Sequence, residues 1–515
     1  MALRGWGGPG LGRAHIRGAA VVGLVVALYA GAGLASTWPA LKQADDRFLA
    51  QGLPSEVPGA AAPGDHLQTL WQLWLPGHEL GRGGDPLHDR YSFQPEVEPR
   101  INFAGWPFGL PFWPLHALLG SVAAWNAFLL LGYIGAGSAT FLWLRSLGLG
   151  TGPALVGGLA FALAPYRAVQ GGAGHLLAWI AMILPLSLWA WERRWFVVSA
   201  AALASIPLSG QVHLALGAIP FFALYALLRG GSRRWAGIAV GGATAAGLAV
   251  WWLSIRGSIG EARSFKQVER YSAELADFVS RDPRHGIEPF VLLGWLTPLL
   301  AIAGVAVLRD RLGLTLAIGA TIPCLVALGA NLPGFETLWR HTPGLHSTRV
   351  PERLMPIACL AIAALAAFAV SRLRWRAAPL LAVVLVALDL RVGVTAVRPT
   401  AADEANRAYA AVDGAPLGRL LELPVRAPDR QEASVYLYYA MQARRERPAG
   451  YSTVAPTKAL SVLHGLEPCP DVRDLGDLGV RLLVVHGRAR CGVPGRLLAQ
   501  DGRIALYEAY IPIAW

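Results

Sequence analysis

Charged residues are scarce in this sequence. Only 15% of its 515 residues are Asp, Glu, Lys or Arg, whereas 54% are hydrophobic. A soluble chain of this length usually forms several domains and carries about 25% charge, so the composition argues against a soluble protein. The apolar residues fall in runs of roughly 15–21 residues, the length that crosses a bilayer as a helix with its backbone hydrogen bonds satisfied.

Several motifs of common functions are also missing. The sequence has no Walker loop, which argues against an ATP-driven pump, and no His pair at zinc-protease spacing. It has no Cys-rich metal pattern either, although a dependence on a divalent metal stays open. No internal repeat of the kind that transporters carry is visible.

The apolar runs predict an α-helical polytopic membrane protein with about eleven transmembrane helices. The predicted spans are Ala19–Ser36, Ala124–Leu144, Pro153–Val169, His175–Trp191, Trp195–Leu208, Val212–Leu228, Trp235–Ile255, Pro289–Leu308, Leu312–Ala330, Glu352–Val370 and Ala377–Val397. The first run follows Arg4, Arg13 and Arg17 and resembles a signal peptide, but its length favours an uncleaved anchor.

The distribution of arginine predicts the orientation, because positive loops stay on the cytoplasmic side. With the N-terminus inside, the cytoplasmic segments hold fourteen arginines and only two acids, Glu192 and Asp310. The first outer loop carries nine acids. The net charge of +12 then reflects cytoplasmic arginines facing anionic lipid, so it implies no nucleic-acid partner. We expect a multi-pass protein of the cell (plasma or inner) membrane, with residues 1–397 in the membrane domain.

Two segments of the first outer loop, residues 37–123, are predicted to be interfacial helices. Trp106–Ser121 is apolar but short and contains three prolines, so we expect it to lie along the outer interface rather than to span. Leu67, Leu70, Trp71 and Trp74 fall at helical spacing and predict a second such helix with tryptophan at headgroup depth.

Residues 398–515 are more polar and predict a small extracytoplasmic α/β domain. The predicted strands are Leu420–Pro424, Val480–His486 and Ile504–Glu508, and the predicted helices lie around Glu432–Arg445 and Thr457–His464. Cys469 and Cys491 lie here, and both a disulfide and two free thiols stay open. Cys324 and Cys359 lie in spans and are expected to be packing residues.

Polar side chains at the outer ends of the spans are the candidate functional residues, because such groups are costly near hydrocarbon. They are Asp65, His66, Arg167, His175, His213, Arg349, Arg353 and Asp389. Each also has a purely structural interpretation. Asp65 and Gln68 could form a capping box, and the histidines could have packing or capping roles. Either Arg349 or Arg353 could extend its side chain to the membrane interface, which is called snorkelling. Asp389 could pair with Arg391.

Short motifs along most of the chain resemble the GT-C superfamily of membrane glycosyltransferases. They include Gly64-Asp65, Asp85-Pro86-Leu87, the Pro-rich stretch Leu110–Leu115, Ala164-Pro165-Tyr166-Arg167, Gly174-His175 and Arg349–Arg353. In the tail they include Glu422–Val425, Gly450-Tyr451-Ser452 and Leu478–Arg481. Many members carry a paired acidic motif after span one, whereas Asp65 is followed by His66.

The resemblance implies sugar transfer from a polyprenyl-phosphate-linked donor to a glycan, lipid or protein acceptor at the extracytoplasmic face. In this interpretation Asp65 is the base, His66 assists it, and Arg349, Arg353 and Arg167 bind the lipid phosphate. His175, His213 and Asp389 support these groups, and no cofactor is certain. The alternative is a lipid-linked-sugar flippase or transporter, which would need the arginines but not Asp65.

Overall fold

The computed structural model describes residues 9–261, 263–283, 286–467, 469–487, 492 and 495–510. Arg4 and Cys491 lie outside the described residues, and so does the predicted pairing of Cys491 with Cys469. The α-helices of the first 397 residues are α1 (Pro9–Thr37), α2 (Asp65–Gly81), α3 (Gly109–Ser146), α4 (Thr151–Ala162), α5 (Pro165–Gly172), α6 (Leu177–Ile180), α7 (Ile183–Glu192), α8 (Phe196–Leu208), α9 (Val212–Arg229), α10 (Arg233–Val250), α11 (Phe265–Tyr271), α12 (Leu296–Val307), α13 (Arg311–Ala327), α14 (Phe335–His341), α15 (Met355–Ser371) and α16 (Ala378–Asp389).

Five helical segments of the described chain are long and apolar enough to cross a membrane. They are Ala20–Thr37, Gly109–Ser146, Val212–Arg229, Arg233–Ile255 and Pro351–Ser371. Shorter apolar helices of 10–17 residues occupy the places of the other predicted spans: Thr151–Ala162, Leu177–Glu192, Phe196–Leu208, Leu296–Val307, Arg311–Ala327 and Ala378–Asp389. The multi-pass helical architecture is therefore confirmed.

Local chemistry explains where these helices end. The predicted run Pro153–Val169 divides into α4 and α5, because Pro165 occupies the first turn of a new helix and cannot continue the old one. α9 ends at Gly230, whose φ of 79° suits glycine. α13 begins after Asp310, whose carboxylate accepts a hydrogen bond from the backbone N–H of Gly313 at 2.9 Å.

The segment predicted to lie along the interface is helical from Gly109 and runs into α3. A sharp kink at Gly120, with φ 76° and ψ −177°, separates this N-terminal piece from the rest of the helix. Leu110, Trp113 and Leu118 on this piece are exposed. These exposed apolar side chains suit a lipid-facing position, which stays a prediction.

The helix predicted from Leu67, Leu70, Trp71 and Trp74 is α2, but its surroundings differ from the prediction. All four side chains are buried. α2 packs between α3 and α18 (Ser434–Gln442), a helix of residues 398–515. The apolar face that suggested contact with headgroups therefore packs against protein.

Residues 398–515, called the tail below, contain a four-stranded sheet. Its strands are β5 (Arg419–Leu423), β6 (Val480–His486), β7 (Gly495–Asp501) and β8 (Ile504–Ala509), in the order β5-β6-β8-β7. β5 and β6 are parallel and the other pairs antiparallel. The tail helices are α17 (Arg407–Ala410), α18, α19 (Thr457–Leu466) and α20 (Val472–Asp477). The predicted strands and helices occur at their expected positions, and β7 was not foreseen.

The tail packs directly on the first loop. β1 (Arg47–Leu49) pairs antiparallel with β4 (Pro399–Ala401), and β2 (His88–Asp89) pairs with β3 (Arg100–Ile101) in the same loop. At the start of α2, the N–H of Gly64 donates to Ser434 Oγ of α18 at 2.9 Å. One hydrophobic core continues from the apolar helices through the first loop into the tail. These contacts place the N-terminus of α2 beneath the tail.

Candidate active site

Asp65 is the first residue of α2, and its carboxylate is held from two sides. Its Oδ2 lies 2.8 Å from Nε2 of His175. Its Oδ1 accepts hydrogen bonds from the hydroxyl of Tyr451 and, at 3.3 Å, from Nε2 of Gln431. Because Tyr451 and Gln431 belong to the tail, the carboxylate bridges the helical part and the tail.

The structure excludes the capping interpretation of Asp65. The N-cap position of α2 is Gly64, and no side chain caps the helix there. Gln68, the other half of the predicted capping box, donates instead to the backbone oxygen of Tyr451 at 3.1 Å. The polar atoms of Asp65 are therefore committed to side chains around a cavity.

These partners determine the charge of Asp65. Burial alone would raise the pKa of the carboxyl, but hydrogen bonding and charge from His175, with hydrogen bonds from Tyr451 and Gln431, lower the pKa to about 2. The side chain is 23% exposed. Asp65 is therefore a partly exposed carboxyl group whose lowered pKa favours the ionised form at neutral pH.

His175 connects Asp65 to a second group of charged residues. Its Nδ1 contacts Oε1 of Gln170, to which Arg353 also donates at 3.1 Å. Arg353 donates two further bonds to the two carboxylate oxygens of Glu288, at 2.9 and 3.0 Å. Burial would raise the pKa of Glu288, but the charges of Arg353 and His175 lower it. Arg353 is thus neutralised by a bidentate carboxylate.

A close backbone approach holds His175 in place. The preceding Gly174 has a φ of +88°, and a Cβ there would lie 2.2 Å from the backbone nitrogen of His66. Only glycine fits both the left-handed backbone and this contact. The turn between α5 and α6 can therefore press against the start of α2, which brings His175 to Asp65.

Asp65, His175, Glu288 and Arg353 line a cavity of about 290 Å³. Further cationic and polar side chains complete its wall: Arg100, Arg263, Arg349, His213, Ser209, Gln211 and Asn102. Among the described residues, no three His, Cys, Asp or Glu side chains meet as metal ligands would.

Arg349, Arg263 and Arg100 are cations of this wall that have no carboxylate within 4.0 Å among the described residues. Arg349 contacts only the ring of Tyr271 among charged or aromatic groups of the described chain, with its guanidinium carbon 5.6 Å from the ring centre. Arg263 donates to the backbone oxygen of Thr453 at 2.8 Å. Burial and the positive charge of Arg349 lower the pKa of Arg263 to about 10. Two guanidiniums in one cavity, one of which lowers the pKa of the other, are an arrangement that a bound anion would stabilise.

His213 lines the same cavity, with Nε2 3.5 Å from the backbone oxygen of Ser347. Arg100 also reaches it and donates to the backbone oxygen of Val454 at 2.9 Å. The structure therefore brings together Asp65, His175, His213, Arg349 and Arg353 of the predicted set.

His66 does not belong to this group. Its ring is fully buried, 5.2 Å from the ring of Phe48 and 6.0 Å from that of Trp125, and it lines none of the cavity. Consecutive residues of a helix point about 100° apart, so Asp65 and His66 cannot both face the cavity. Burial lowers the pKa of His66 to about 4, which keeps it neutral.

Arg167 and Asp389 also lie elsewhere. Arg167 is buried among the helices and donates to the backbone oxygens of Gly132 at 2.8 Å and Ala162 at 3.1 Å. Asp389 accepts hydrogen bonds from the first backbone N–H groups of α12, including that of Leu296 at 3.0 Å. It therefore caps α12, and its charged neighbour is Arg281 at 3.7 Å rather than the predicted Arg391.

The residues that the sequence analysis missed are Glu288, Gln431, Tyr451, Arg263 and Arg100. Tyr451 lies in the Gly450-Tyr451-Ser452 piece that carried part of the resemblance, so a signal for it existed. Glu288 directly precedes the predicted span that begins at Pro289, in the same kind of position as the candidates at other span ends. The two arginines come from long loops without periodicity, and no pattern distinguished them.

No protein-family model matches the sequence, and no curated protein matches it. Among solved structures, the chain is similar to the arabinofuranosyltransferase AftD from Mycobacteria, with a TM-score of 0.56 and 15% identity. That match covers 95% of this chain and 40% of AftD. A variant of the same enzyme matches with a TM-score of 0.53 and 16% identity over 95% of this chain and 41% of the other.

ArnT from Cupriavidus metallidurans matches with a TM-score of 0.49 and 16% identity over 95% of this chain and 98% of ArnT.

The chain spans about two fifths of the length of AftD. AftD is a GT-C glycosyltransferase, and the correspondence extends over nearly all of the helical part and the tail. The chain therefore has the GT-C fold of membrane glycosyltransferases, as its sequence motifs implied.

Proposed function

We propose that this protein transfers a sugar from a polyprenyl-phosphate-linked donor to a hydroxyl acceptor at the extracytoplasmic face of the membrane. One observation carries the proposal. An ionised carboxylate, Asp65, and two guanidiniums, Arg349 and Arg263, line the same cavity, and neither guanidinium has a carboxylate within 4.0 Å among the described residues. That combination matches the two needs of the reaction, which are a base for the acceptor and cations for the leaving phosphate.

The reaction assigns each group a role. The acceptor oxygen forms a bond to the anomeric carbon of the sugar as the bond from that carbon to the phosphate oxygen breaks. The acceptor proton passes to Asp65, and the electron pair leaves with the polyprenyl phosphate. Arg349 and Arg263 stabilise the charge that develops on that phosphate.

Asp65 has a low pKa, so it accepts the proton late, when the acceptor oxygen has become acidic by bonding to the sugar. Its position at the N-terminus of α2 also favours the charged form. His175, 2.8 Å away, orients the carboxylate.

Arg353 takes a different role from the one that the sequence suggested. Its bidentate contact with Glu288 occupies the guanidinium, so we assign it to positioning His175 and Gln170. The phosphate contact passes to Arg263 and Arg349, which have no carboxylate within 4.0 Å in the described part of the chain. His213 lies beside these arginines and supports the donor.

The membrane arrangement follows from the arginine distribution. In this proposal the five helices that are long enough to cross and the six shorter apolar helices make eleven crossings, with the N-terminus in the cytoplasm and the tail outside. Donor and acceptor then meet beneath the tail at headgroup depth, where a polyprenyl chain can stay in the bilayer.

The test uses the purified full chain with a panel of polyprenyl-phosphate sugars and hydroxyl acceptors. The panel includes arabinofuranose, because AftD is named for its transfer. We expect transfer by the wild type and a rate lower by about 10²-fold or more in Asp65→Asn, with donor binding retained. Asp45→Asn is the matched control, since it removes an exposed carboxylate from the same loop.

Two outcomes would contradict the proposal. Full activity in Asp65→Asn would place the base elsewhere. A wild type that moves the lipid-linked sugar across a bilayer but transfers nothing, and does so equally well in Asp65→Asn, would support the flippase alternative.

A further inference from the structure

A second pair of guanidiniums lies at the other end of α2. Arg82 directly follows that helix, and Arg444 follows α18 in the tail. Both side chains are exposed, and both line the same two cavities, of about 740 and 320 Å³. In the part of the chain that the structure describes, neither has a carboxylate within 4.0 Å.

The two arginines lie close to the same histidine. Burial, followed by the positive charges of Arg444 and Arg82, lowers the pKa of His78 to about 4. His78 is stacked on Trp74, with ring centres 4.1 Å apart. The smaller cavity is therefore lined by the neutral rings of Trp74 and His78, and Arg82 and Arg444 place positive charge at its edge.

An exposed apolar surface adjoins this edge. Trp113 and His116 of the N-terminal piece of α3 line the smaller cavity. Trp113 is fixed against α2, because a Cβ on Gly77 would lie 2.3 Å from its ring. On the same piece Leu110 is exposed, and Leu118 is 82% exposed. Positive charge and a lipid-compatible surface thus meet at one place.

The smaller cavity and the adjoining apolar surface of Leu110, Trp113 and Leu118 together form a groove. We propose that this groove binds the phosphate headgroup of an anionic phospholipid. Arg82 and Arg444 hold the phosphate, since guanidinium forks match phosphate oxygens. The acyl chains lie along Leu110, Trp113 and Leu118. A soluble anion would gain nothing from that apolar surface, which is why the lipid is favoured over a free phosphate or an acidic glycan.

The groove is distinct from the candidate active site. His78 lies thirteen positions after Asp65 in α2, which corresponds to roughly 20 Å along a helix. Because Arg82 belongs to the first loop and Arg444 to the tail, one bound lipid would hold these two parts together. The proposal does not depend on the enzymatic activity.

The experiment measures phosphatidylglycerol that stays bound to the purified full chain by native mass spectrometry, with phosphatidylcholine as the neutral reference. We expect the wild type to retain phosphatidylglycerol selectively and Arg82→Gln/Arg444→Gln to lose at least tenfold in occupancy. Arg407→Gln/Arg473→Gln is the control, because it removes two exposed charges of the tail that line neither cavity. Leu118→Asn should weaken retention without changing any charge.

Three outcomes would overturn the proposal. The first is equal retention in the wild type and in Arg82→Gln/Arg444→Gln, with both folded by thermal unfolding. The second is complete displacement of the lipid by inorganic phosphate at millimolar concentration, which would mark a free-phosphate site. The third is preferential binding of a soluble acidic polysaccharide that depends on the two arginines.

Discussion

Replacing Arg349 with glutamine separates donor binding from folding. A charge-assisted hydrogen bond contributes about 1.5–3 kcal/mol net, so the loss of one contact should weaken donor affinity by roughly 10- to 150-fold. The cost in stability should be small, because among the described residues the guanidinium has one close contact, with the ring of Tyr271. An exposed cation–π contact contributes about 0.5–1 kcal/mol.

The same substitution at Arg353 should behave in the opposite way. Arg353 and Glu288 are 16% and 21% exposed and are joined by two hydrogen bonds. Removing one partner of such a largely buried pair costs about 3–5 kcal/mol, because the other charge is left uncompensated. Arg353→Gln should therefore lower the thermal stability strongly, and Glu288→Gln/Arg353→Gln should recover part of it.

The assay is the dissociation constant of a polyprenyl-phosphate sugar, measured at two salt concentrations alongside thermal unfolding. Arg349→Gln should show a weaker affinity, a smaller salt dependence and an unchanged unfolding temperature. Wild-type affinity in Arg349→Gln would refute the assignment of the phosphate to this side chain. A loss of stability as large as that of Arg353→Gln would show that Arg349 has a structural partner instead.

Two further predictions concern the contacts of the tail. The pKa of Asp65 lies below its usual 3.8, at about 2, so its charge stabilises the fold above pH 4 and is lost only as the pH falls through 2. Tyr451→Phe removes one hydrogen bond to the charged form and should raise that pKa by about 1–2 units, which moves the acid limb of kcat/KM upward; an unmoved limb in pH–rate profiles would contradict this. Nη1 of Arg447 lies 2.9 Å from the carboxylate of Glu422, and both side chains are fully buried. Arg447→Met would leave that carboxylate without its cation, so it should destabilise the protein by about 3–5 kcal/mol in thermal or denaturant unfolding. Equal stability of Arg447→Met and wild type would show that the pair contributes nothing.

The helical part of the fold was predictable because hydrocarbon imposes a strong and simple pattern. Runs of apolar residues located each apolar helix, although some predicted ends, such as Pro289 before α12 and Val397 after α16, lie seven or eight residues outside it. Prolines such as Pro165 account for breaks inside the predicted runs. Burial was less predictable. The apolar face of α2 suited lipid as well as protein, and only the position of α18 decides between them.

The candidate site was predictable only in part, for a geometric reason. Asp65, His175 and Arg353 lie at the ends of helices, where polar residues stand out against apolar sequence. Tyr451 and Arg263 come from segments in which polar residues are common, so their approach to Asp65 and Arg349 depends on the tertiary fold. His66 is adjacent to Asp65 in the sequence, but consecutive residues of a helix point in different directions, so His66 does not face the cavity.

The bond between Tyr451 and Asp65 also imposes an order on biogenesis. These residues are 386 positions apart, so the ribosome makes the carboxylate long before its tail partners. A nascent chain that stops before Tyr451 has His175 beside Asp65 but lacks the hydrogen bond from Tyr451. The set of contacts around Asp65 is therefore complete only after the tail has been made and has folded onto the first loop.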